Sequence, residues 1–303
     1  MKLSAQLFPE KYSVPEQWQS TQTYKLLEQS GFVYFPHSGY PLFLPIGQRV
    51  IERICSIIRA ESEKFGYDEV YLPLIQESKL LEETGRADIF SKELFRIAGN
   101  NDRYILAATN EEVFLDLASK GLVSYRQLPV RWYQIADKFR NVKKAKGILR
   151  SRQFLMCDMV SIDANENSLW ESARLFEYLV YAVCSEFDMH PLRVSKDNEK
   201  YVDFLIPCDE GEVKINIDVD ERRTSYATNN DLNSTNSSGI AMYFIFDQTN
   251  IIRNISYQSI DANLKKVYLG SYGFGIQRCM HAIVETHRDK LGILFPKNRV
   301  VAI

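Results

Sequence analysis

The strongest pattern along the chain is the helical spacing of apolar residues in two long segments. Between residues 48 and 64, Val50, Ile54 and Ile57 recur at intervals of four and three, and charged residues occupy other positions. Residues 167–187 carry six apolar positions at the same spacing. Because this spacing places apolar side chains on one face of a helix, both segments are predicted to be amphipathic helices.

Apolar runs and alternating positions predict strands in much of the remaining chain. The two longest, residues 130–140 and 151–163, flank the basic loop NVKKAKGIL and predict an antiparallel hairpin with a long tip. Shorter strands are predicted within YDEVYLPLI, YILAA, YVDFLIPC, EVKINIDV, GIAMYFIF and KKVYLGSYGFG.

Two further helices and one loop complete the predicted elements. EEVFLDLASKG and IQRCMHAIVETH predict short helices, and the polar stretch TNNDLNSTNSSG predicts a loop. Helices and mostly antiparallel strands in irregular order predict an α+β fold. We expect this fold to form one domain over residues 1–303.

Charge and composition exclude several classes of function. The net charge is -2, so no global positive field attracts nucleic acid, and any contact with RNA must come from a local patch. The five cysteines form no CxxC pair, and the four histidines follow no zinc-binding pattern. No apolar run approaches the roughly 20 residues that span a bilayer, and the N-terminal segment lacks the apolar stretch of a signal peptide. We therefore expect a cytoplasmic protein without a membrane partner.

The predicted hairpin carries the first group of candidate site residues, Arg140, Arg150, Arg152 and Phe154. Guanidinium groups bind phosphate through paired hydrogen bonds, and an aromatic ring can stack on a base. The alternative is a solvated charged face beside a core phenylalanine. The basic loop tip could likewise contact a nucleic-acid backbone or be a solvated turn.

A glycine-rich segment, GSYGFGIQR, leads from a predicted strand into a predicted helix. Gly273 and Gly275 would allow close approach of the backbone, and Arg278 would lie in the first helical turn. Helix N-termini attract anions, so a phosphate could bind there. The alternative is that the glycines only permit tight packing.

The segment ATNEE places a hydroxyl and a carboxylate two residues apart at a strand end. Thr109 and Glu111 could together hold an α-ammonium group through charge-assisted hydrogen bonds. Taken alone, however, the pattern favours a capping box in which Thr109 caps a helix and Glu112 reaches back.

Taken together and in this order, these segments resemble the class II aminoacyl-tRNA synthetases, most closely the prolyl type, over nearly the whole chain. Residues 40–75 are similar to motif 1 of that family, residues 124–159 to motif 2 and residues 269–278 to motif 3. ATNEE matches the T-x-E loop of the prolyl type. The resemblance implies an antiparallel sheet flanked by helices that binds ATP, Mg²⁺ and an amino acid. It also implies a homodimer, through motif 1.

Carried over residue by residue, the resemblance implies a role for each candidate. Arg140 would contact the α-phosphate and the amino-acid carboxylate, and Phe154 would stack on adenine. Arg278 would cover the other face of the adenine and reach the γ-phosphate, and both arginines would be catalytic. Thr109 and Glu111 would hold the amino end of the substrate. The other candidates are Arg150, Arg152, Gly273 and Gly275 for the nucleotide, and Tyr243 and Phe244 for the amino acid.

The sequence departs from the prolyl pattern at several positions. Val142 replaces a glutamate expected near the adenine amino group, which would weaken ATP binding. Ala241, Tyr243 and Phe244 stand where the prolyl type has glutamate, glycine and histidine, so the specificity for proline is expected to differ. We expect neither an anticodon-binding domain after Ile303 nor an inserted editing domain, although a core cut from a longer chain has the same appearance.

Two functions of different classes follow from these observations. The first is an enzyme that activates an amino acid as its adenylate, with a tRNA end, a carrier protein or a small molecule as acceptor. The second is a non-catalytic paralogue that serves as a regulatory or ligand-binding subunit. Fold alone does not decide between them.

Overall fold

The structure is a computed structural model that describes ten stretches of the chain. They are residues 22–90, 92–99, 103–196, 201–208, 211, 213–218, 223–226, 235–251, 255–289 and 292–293. The α-helices in these stretches are α1 (Gln22–Gln29), α2 (Pro45–Lys64), α3 (Ser78–Thr84), α4 (Ala87–Phe90), α5 (Glu111–Gly121), α6 (Glu166–Glu186) and α7 (Ile276–His287). None of these described helices is both long enough and apolar enough to cross a membrane.

The strands of the described residues follow in chain order. They are β1 (Val33–His37), β2 (Tyr40–Phe43), β3 (Asp68–Glu69), β4 (Ile75–Glu77), β5 (Tyr104–Leu106), β6 (Val130–Phe139), β7 (Gln153–Asp163), β8 (Leu192–Lys196), β9 (Tyr201–Pro207), β10 (Val213–Asp218), β11 (Arg223–Tyr226), β12 (Thr235–Asp247), β13 (Ser256–Gln258), β14 (Leu264–Lys266) and β15 (Tyr268–Gly275). With helices and mainly antiparallel strands in irregular order, the α+β prediction is confirmed.

A nine-stranded sheet forms the centre of the molecule. Its main path runs β11-β10-β12-β15-β7-β6-β3, while β9 pairs with β12 and β8 pairs with β9. The predicted hairpin is β6 and β7, paired antiparallel from Val130 opposite Ile162 to Phe139 opposite Gln153. The short β3 pairs with β6 in parallel.

The two faces of this sheet differ because successive side chains of a strand point to opposite sides. Cys157 and Met159 of β7, with Tyr272 and Phe274 of β15, join the core formed with α2, α6 and α7. On the opposite face, α5 covers one half around Val160, Ile162 and Leu269. The other half of that face, beyond α5, is where a site can form.

The helix predicted from the spacing of Val50, Ile54 and Ile57 is α2, and all three side chains are buried. It begins at Pro45, three residues earlier than predicted, because proline is tolerated in the first helical turn. The helix predicted over residues 167–187 is α6. The Asn165 side chain caps it by accepting a hydrogen bond from the Ser168 N–H.

Three predictions about local structure are wrong in whole or in part, and the first two concern segments that precede or begin α5. YDEVYLPLI is not one strand, because only Asp68–Glu69 pairs with β6 and only its last residue enters β4. Between them lies Pro73, which has no N–H to donate to a ladder. The capping box is also absent, because Asn110 caps α5 and makes no side-chain capping bond, which leaves Thr109 outside the helix.

The predicted polar loop TNNDLNSTNSSG is wrong in its last part. Residues 235–239 belong to β12 and pair with β10, so neighbouring strands outweigh the polar composition there. Residues 228–234 of that prediction lie outside the described residues. The hairpin of β1 and β2, and helix α1 before it, were not predicted at all.

Candidate active site

A cavity of about 460 Å³ opens on the half of the sheet that α5 leaves uncovered. Its volume is within the range of about 300–1,000 Å³ that is usual for small-molecule sites. Eight of the candidate residues from the sequence line it, namely Thr109, Glu111, Arg140, Arg150, Phe154, Phe244, Gly275 and Arg278. The folded chain therefore brings together residues from the T-x-E loop, motif 2 and motif 3.

Arg140 follows the last residue of β6 and enters the cavity wall between two aromatic rings. Its guanidinium carbon is 5.7 Å from the centre of the Phe90 ring and 5.3 Å from that of Phe154. Its Nε donates a hydrogen bond to the Ala108 carbonyl oxygen at 3.0 Å. Burial lowers the pKa of Arg140, and the charge of Arg278 lowers it further, against the opposing effect of nearby carboxylates. The group nevertheless stays cationic, as arginine does in proteins.

Arg278 lies in the first turn of α7 and spans two other elements of the site. Its Nε donates to the Leu149 carbonyl oxygen at 2.9 Å, and its Nη1 donates to the Ala241 carbonyl oxygen at 2.9 Å. These bonds tie the helix to the hairpin loop and to β12. A Cβ atom on Gly275 would lie 3.2 Å from the Arg278 Cδ, so glycine leaves room for this side chain.

Glu111 supplies a buried carboxylate at the other side of the cavity, at the first residue of α5. Its Oε1 accepts a hydrogen bond from the Ser271 hydroxyl at 2.9 Å, and its Oε2 lies 3.5 Å from the Arg86 Nη1. Burial raises the pKa of Glu111, but Arg86, a backbone hydrogen bond and Ser271 together lower it below its ordinary value. Glu111 is therefore a fixed negative charge, suited to hold a cation such as an ammonium group.

One line of paired residues crosses the sheet beneath the cavity. From β6 to β9 it runs Gln134, Asp158, Gly273, Phe244 and Asp203, each directly opposite the next. A Cβ atom on Gly273 would lie 2.4 Å from the Phe244 ring and 2.5 Å from the Met156 Cε. The absence of a side chain at Gly273 therefore allows Phe244 and Met156 to pack over the strand.

Three candidates from the sequence are not among the described lining residues. Arg152 bonds the Ser38 carbonyl oxygen at 2.5 Å and the Val142 carbonyl oxygen at 3.3 Å, so it joins the β1–β2 turn to the hairpin loop. Gly273 acts through packing, as described above. The backbone of Tyr243 pairs with Phe274, and its side chain lies outside what the structure describes.

Four ionisable lining residues were not found from the sequence: Arg86, Glu93, Tyr201 and Asp203. Asp203 is 6% exposed and accepts a hydrogen bond from the Tyr201 hydroxyl at 3.0 Å. A charged residue inside the apolar strand YVDFLIP was an available signal, because buried acids are rare without a partner. Arg86 directly follows Gly85, whose φ of 76° ends α3.

The described side chains form no cluster that is typical of a metal site. Within the described stretches, no group of three or more His, Cys, Asp or Glu side chains could hold a metal ion.

Solved structures of prolyl-tRNA synthetases have the same fold as this chain. A prolyl-tRNA synthetase of Giardia lamblia in complex with prolyl-adenylate matches with a TM-score of 0.73 and 16% identity, over 91% of this chain and 54% of that chain. The prolyl-tRNA synthetase of Cryptosporidium parvum complexed with halofuginone and AMPPNP matches with a TM-score of 0.75 and 15% identity, over 92% and 56%. This chain thus spans just over half the length of these two relatives.

Sequence comparison identifies the family. The chain is 30% identical to a proline–tRNA ligase of Ehrlichia ruminantium (strain Gardel) over 332 aligned residues, which cover 98% of this chain and 77% of the relative. It is 36% identical to that of Desulfovibrio desulfuricans over 197 residues, 63% of this chain and 34% of the relative. Residues 94–287 match the model of the tRNA synthetase class II core domain (G, H, P, S and T). The chain belongs to the class II tRNA synthetase core family.

Proposed function

We propose that this chain binds ATP and an amino acid in the described cavity and joins them as an aminoacyl-adenylate, releasing pyrophosphate. The observation that carries the proposal is the arrangement of Arg140 and Arg278. They come from different motifs, line the same cavity and are each held by backbone carbonyl oxygens. Two positioned cations in one partly buried space suit a polyphosphate.

The proposed reaction is an in-line attack of the amino-acid carboxylate on the α-phosphorus. It depends on positioning and charge neutralisation more than on a proton-transfer residue. Arg140 would neutralise the α-phosphate and the carboxylate, Phe154 would stack on adenine, and Arg278 would contact adenine and the γ-phosphate. Thr109 and Glu111 would hold the ammonium group. Mg²⁺, where bound to the phosphates, would add neutralising charge.

The amino acid is proposed to be proline or another amino acid whose side chain fits the altered wall. Proline is the first candidate because the two relatives compared by sequence above are proline–tRNA ligases. The wall differs from the prolyl pattern at Ala241 and Phe244, which both line the cavity. Loss of a glutamate and a histidine there changes which side chain is accepted.

We further propose that the acyl group passes to the acceptor end of a tRNA, as the names of the relatives suggest. A carrier protein or a small molecule is an alternative acceptor. A cytoplasmic location and a homodimer formed through α2 and β3 complete the proposal. Sedimentation at working concentration tests the dimer.

The decisive experiment is the exchange of radiolabelled pyrophosphate into ATP with each of the twenty amino acids. We expect exchange with at least one, and loss of at least a hundredfold in Arg278→Ala. Folded protein that is silent with all twenty would contradict the proposal. If calorimetry detects binding of a nucleotide or an amino acid but no exchange occurs, the result would favour a non-catalytic subunit. The valine at position 142 also favours that alternative.

A further inference from the structure

Helix α5 begins with two adjacent buried glutamates that share one arginine. Glu111 is 8% exposed and Glu112 is 3% exposed. The Arg86 Nη1 lies 3.0 Å from the Glu112 Oε1 and 3.5 Å from the Glu111 Oε2. The Thr84 hydroxyl also donates to the Glu112 Oε1, at 3.2 Å. Arg86 thus connects a carboxylate that lines the cavity with one behind it.

The two glutamates face different surroundings. Glu111 lines the cavity, and its Oε1 is held by Ser271 of β15. Its buried Oε2 has no hydrogen bond among the described residues, although Arg86 is nearby. Glu112 is not among the described lining residues and instead contacts Thr84 of α3 and Arg86. Only Glu111 can therefore meet a ligand directly.

Charge is not balanced within this cluster, because one guanidinium faces two carboxylates. Burial and, to a lesser degree, the negative charge of Glu111 raise the pKa of Glu112 to about 7, against the lowering effects of Arg86 and Thr84. The pKa of Glu111 is lowered instead. Near neutral pH, Glu111 is consequently ionised and Glu112 holds a proton part of the time.

We infer that Glu112 is a positioning residue for the substrate's ammonium group. Through Arg86 it sets the place of the Glu111 carboxylate, and it releases its proton to solvent when the ammonium arrives. The inference rests on the proposed function, because it takes Glu111 as the group that binds the ammonium.

The direction of the pH effect follows from the charges that face the pair. Thr84 of α3, Arg86 and Glu111 surround Glu112, while Asp158 and Arg140 act on Glu111. An added ammonium stabilises the ionised form of Glu112 and lowers its pKa, so binding releases a proton. The amino-acid KM should therefore rise as pH falls below about 7, by up to tenfold per pH unit.

The first test replaces Glu112 with a neutral residue of the same shape. Pyrophosphate exchange is measured from pH 6 to 8 with L-proline, or with the fastest substrate of the panel. For Glu112→Gln we expect an amino-acid KM about tenfold higher than that of wild type at pH 8. This KM should be nearly constant from pH 6 to 8, and kcat should stay within about threefold of wild type. Asp116→Asn changes an exposed acid of the same helix and should keep the wild-type profile. Equal profiles for wild type and Glu112→Gln would overturn the inference.

A second test uses only the wild-type protein, so its result does not depend on whether a variant folds. Calorimetric titration of wild type with the same amino acid at pH 7, in two buffers of different ionisation enthalpy, counts released protons. We expect release of up to about half a proton per site. Exchange without any proton release in wild type overturns this inference alone. Absence of exchange and of binding overturns the proposed function with it.

Discussion

Arg140 and Arg278 lie far apart in the chain but line the same cavity, and the Nε of each is bonded to a backbone carbonyl oxygen. Burial is the main cause that lowers the pKa of Arg140, and nearby carboxylates oppose it. The charge of Arg278 adds a smaller lowering effect. Two like charges in one cavity repel each other, and an anion between them removes that cost. This relationship supports the proposal that the pair binds a polyphosphate.

Gly273 is predicted to be essential for the shape of the cavity. In Gly273→Ala, the new methyl group would overlap the Phe244 ring and the Met156 methyl group, so at least one must move into the cavity. We expect the exchange rate to fall more than tenfold and stability to fall by about 1–3 kcal/mol.

The matched control for this change is Gly121→Ala at the end of α5. No atom lies within 4 Å of the position that its Cβ would take. This variant should exchange like wild type, with stability unchanged or slightly higher. Wild-type exchange by Gly273→Ala would contradict the proposed packing.

The ion pair beneath the site is predicted to matter for stability. Lys138 is 0% exposed, and its Nζ lies 3.1 Å from the Asp158 Oδ2. Lys138→Met leaves a buried carboxylate without its partner and should lower the free energy of unfolding by about 3–5 kcal/mol. Lys138→Met with Asp158→Asn should recover most of that loss.

Urea unfolding measures both variants beside a surface control. Lys120→Met breaks the exposed pair with Asp116 and should cost at most about 1 kcal/mol. If Lys138→Met costs no more than Lys120→Met, the buried pair does not stabilise the sheet as described.

His281 is predicted to make stability depend on pH. This residue of α7 is fully buried, and its ring nitrogens have no hydrogen-bond partner in the described structure. Burial, opposed by Glu285, lowers its pKa from 6.5 to about 4. The unfolded chain therefore binds the proton more readily, so stability is complete above pH 6.5 and falls as pH drops towards 4.

This loss should reach about 3 kcal/mol by pH 4, at about 1.36 kcal/mol for each pKa unit. Unfolding by urea at several pH values measures it in wild type and in His281→Leu. The variant should lack this part of the pH dependence, while replacement of the exposed His190 by glutamine should retain it. Parallel curves for wild type and His281→Leu would refute the assignment.

Long elements with a repeated pattern were predictable from the sequence. In α2, α6 and the β6–β7 hairpin, one face is buried over many residues. The spacing of apolar residues therefore predicts the type of element there. The β1–β2 hairpin has strands of only five and four residues, which is too short for a pattern to stand out.

Site residues were predictable from the sequence where they belong to a recognisable motif, and other site residues were not. Arg140 and Arg278 lie in segments with several distinctive neighbours, so resemblance identified them. Arg86 and Asp203 enter the cavity through tertiary packing of segments that are distant in sequence. Thr109 was assigned to a cap because local pattern alone does not show that α5 starts two residues later.

Calorimetric titration with ATP of wild type, Arg140→Ala, Arg278→Ala and the double variant tests the central claim most directly. Because both guanidinium groups are proposed to act on one nucleotide, we expect one ATP per chain and at least tenfold weaker binding in each single variant. The two losses should also be non-additive, with a coupling of about 1 kcal/mol or more. Unchanged ATP affinity in either single variant would contradict the claim that both arginines bind the same nucleotide.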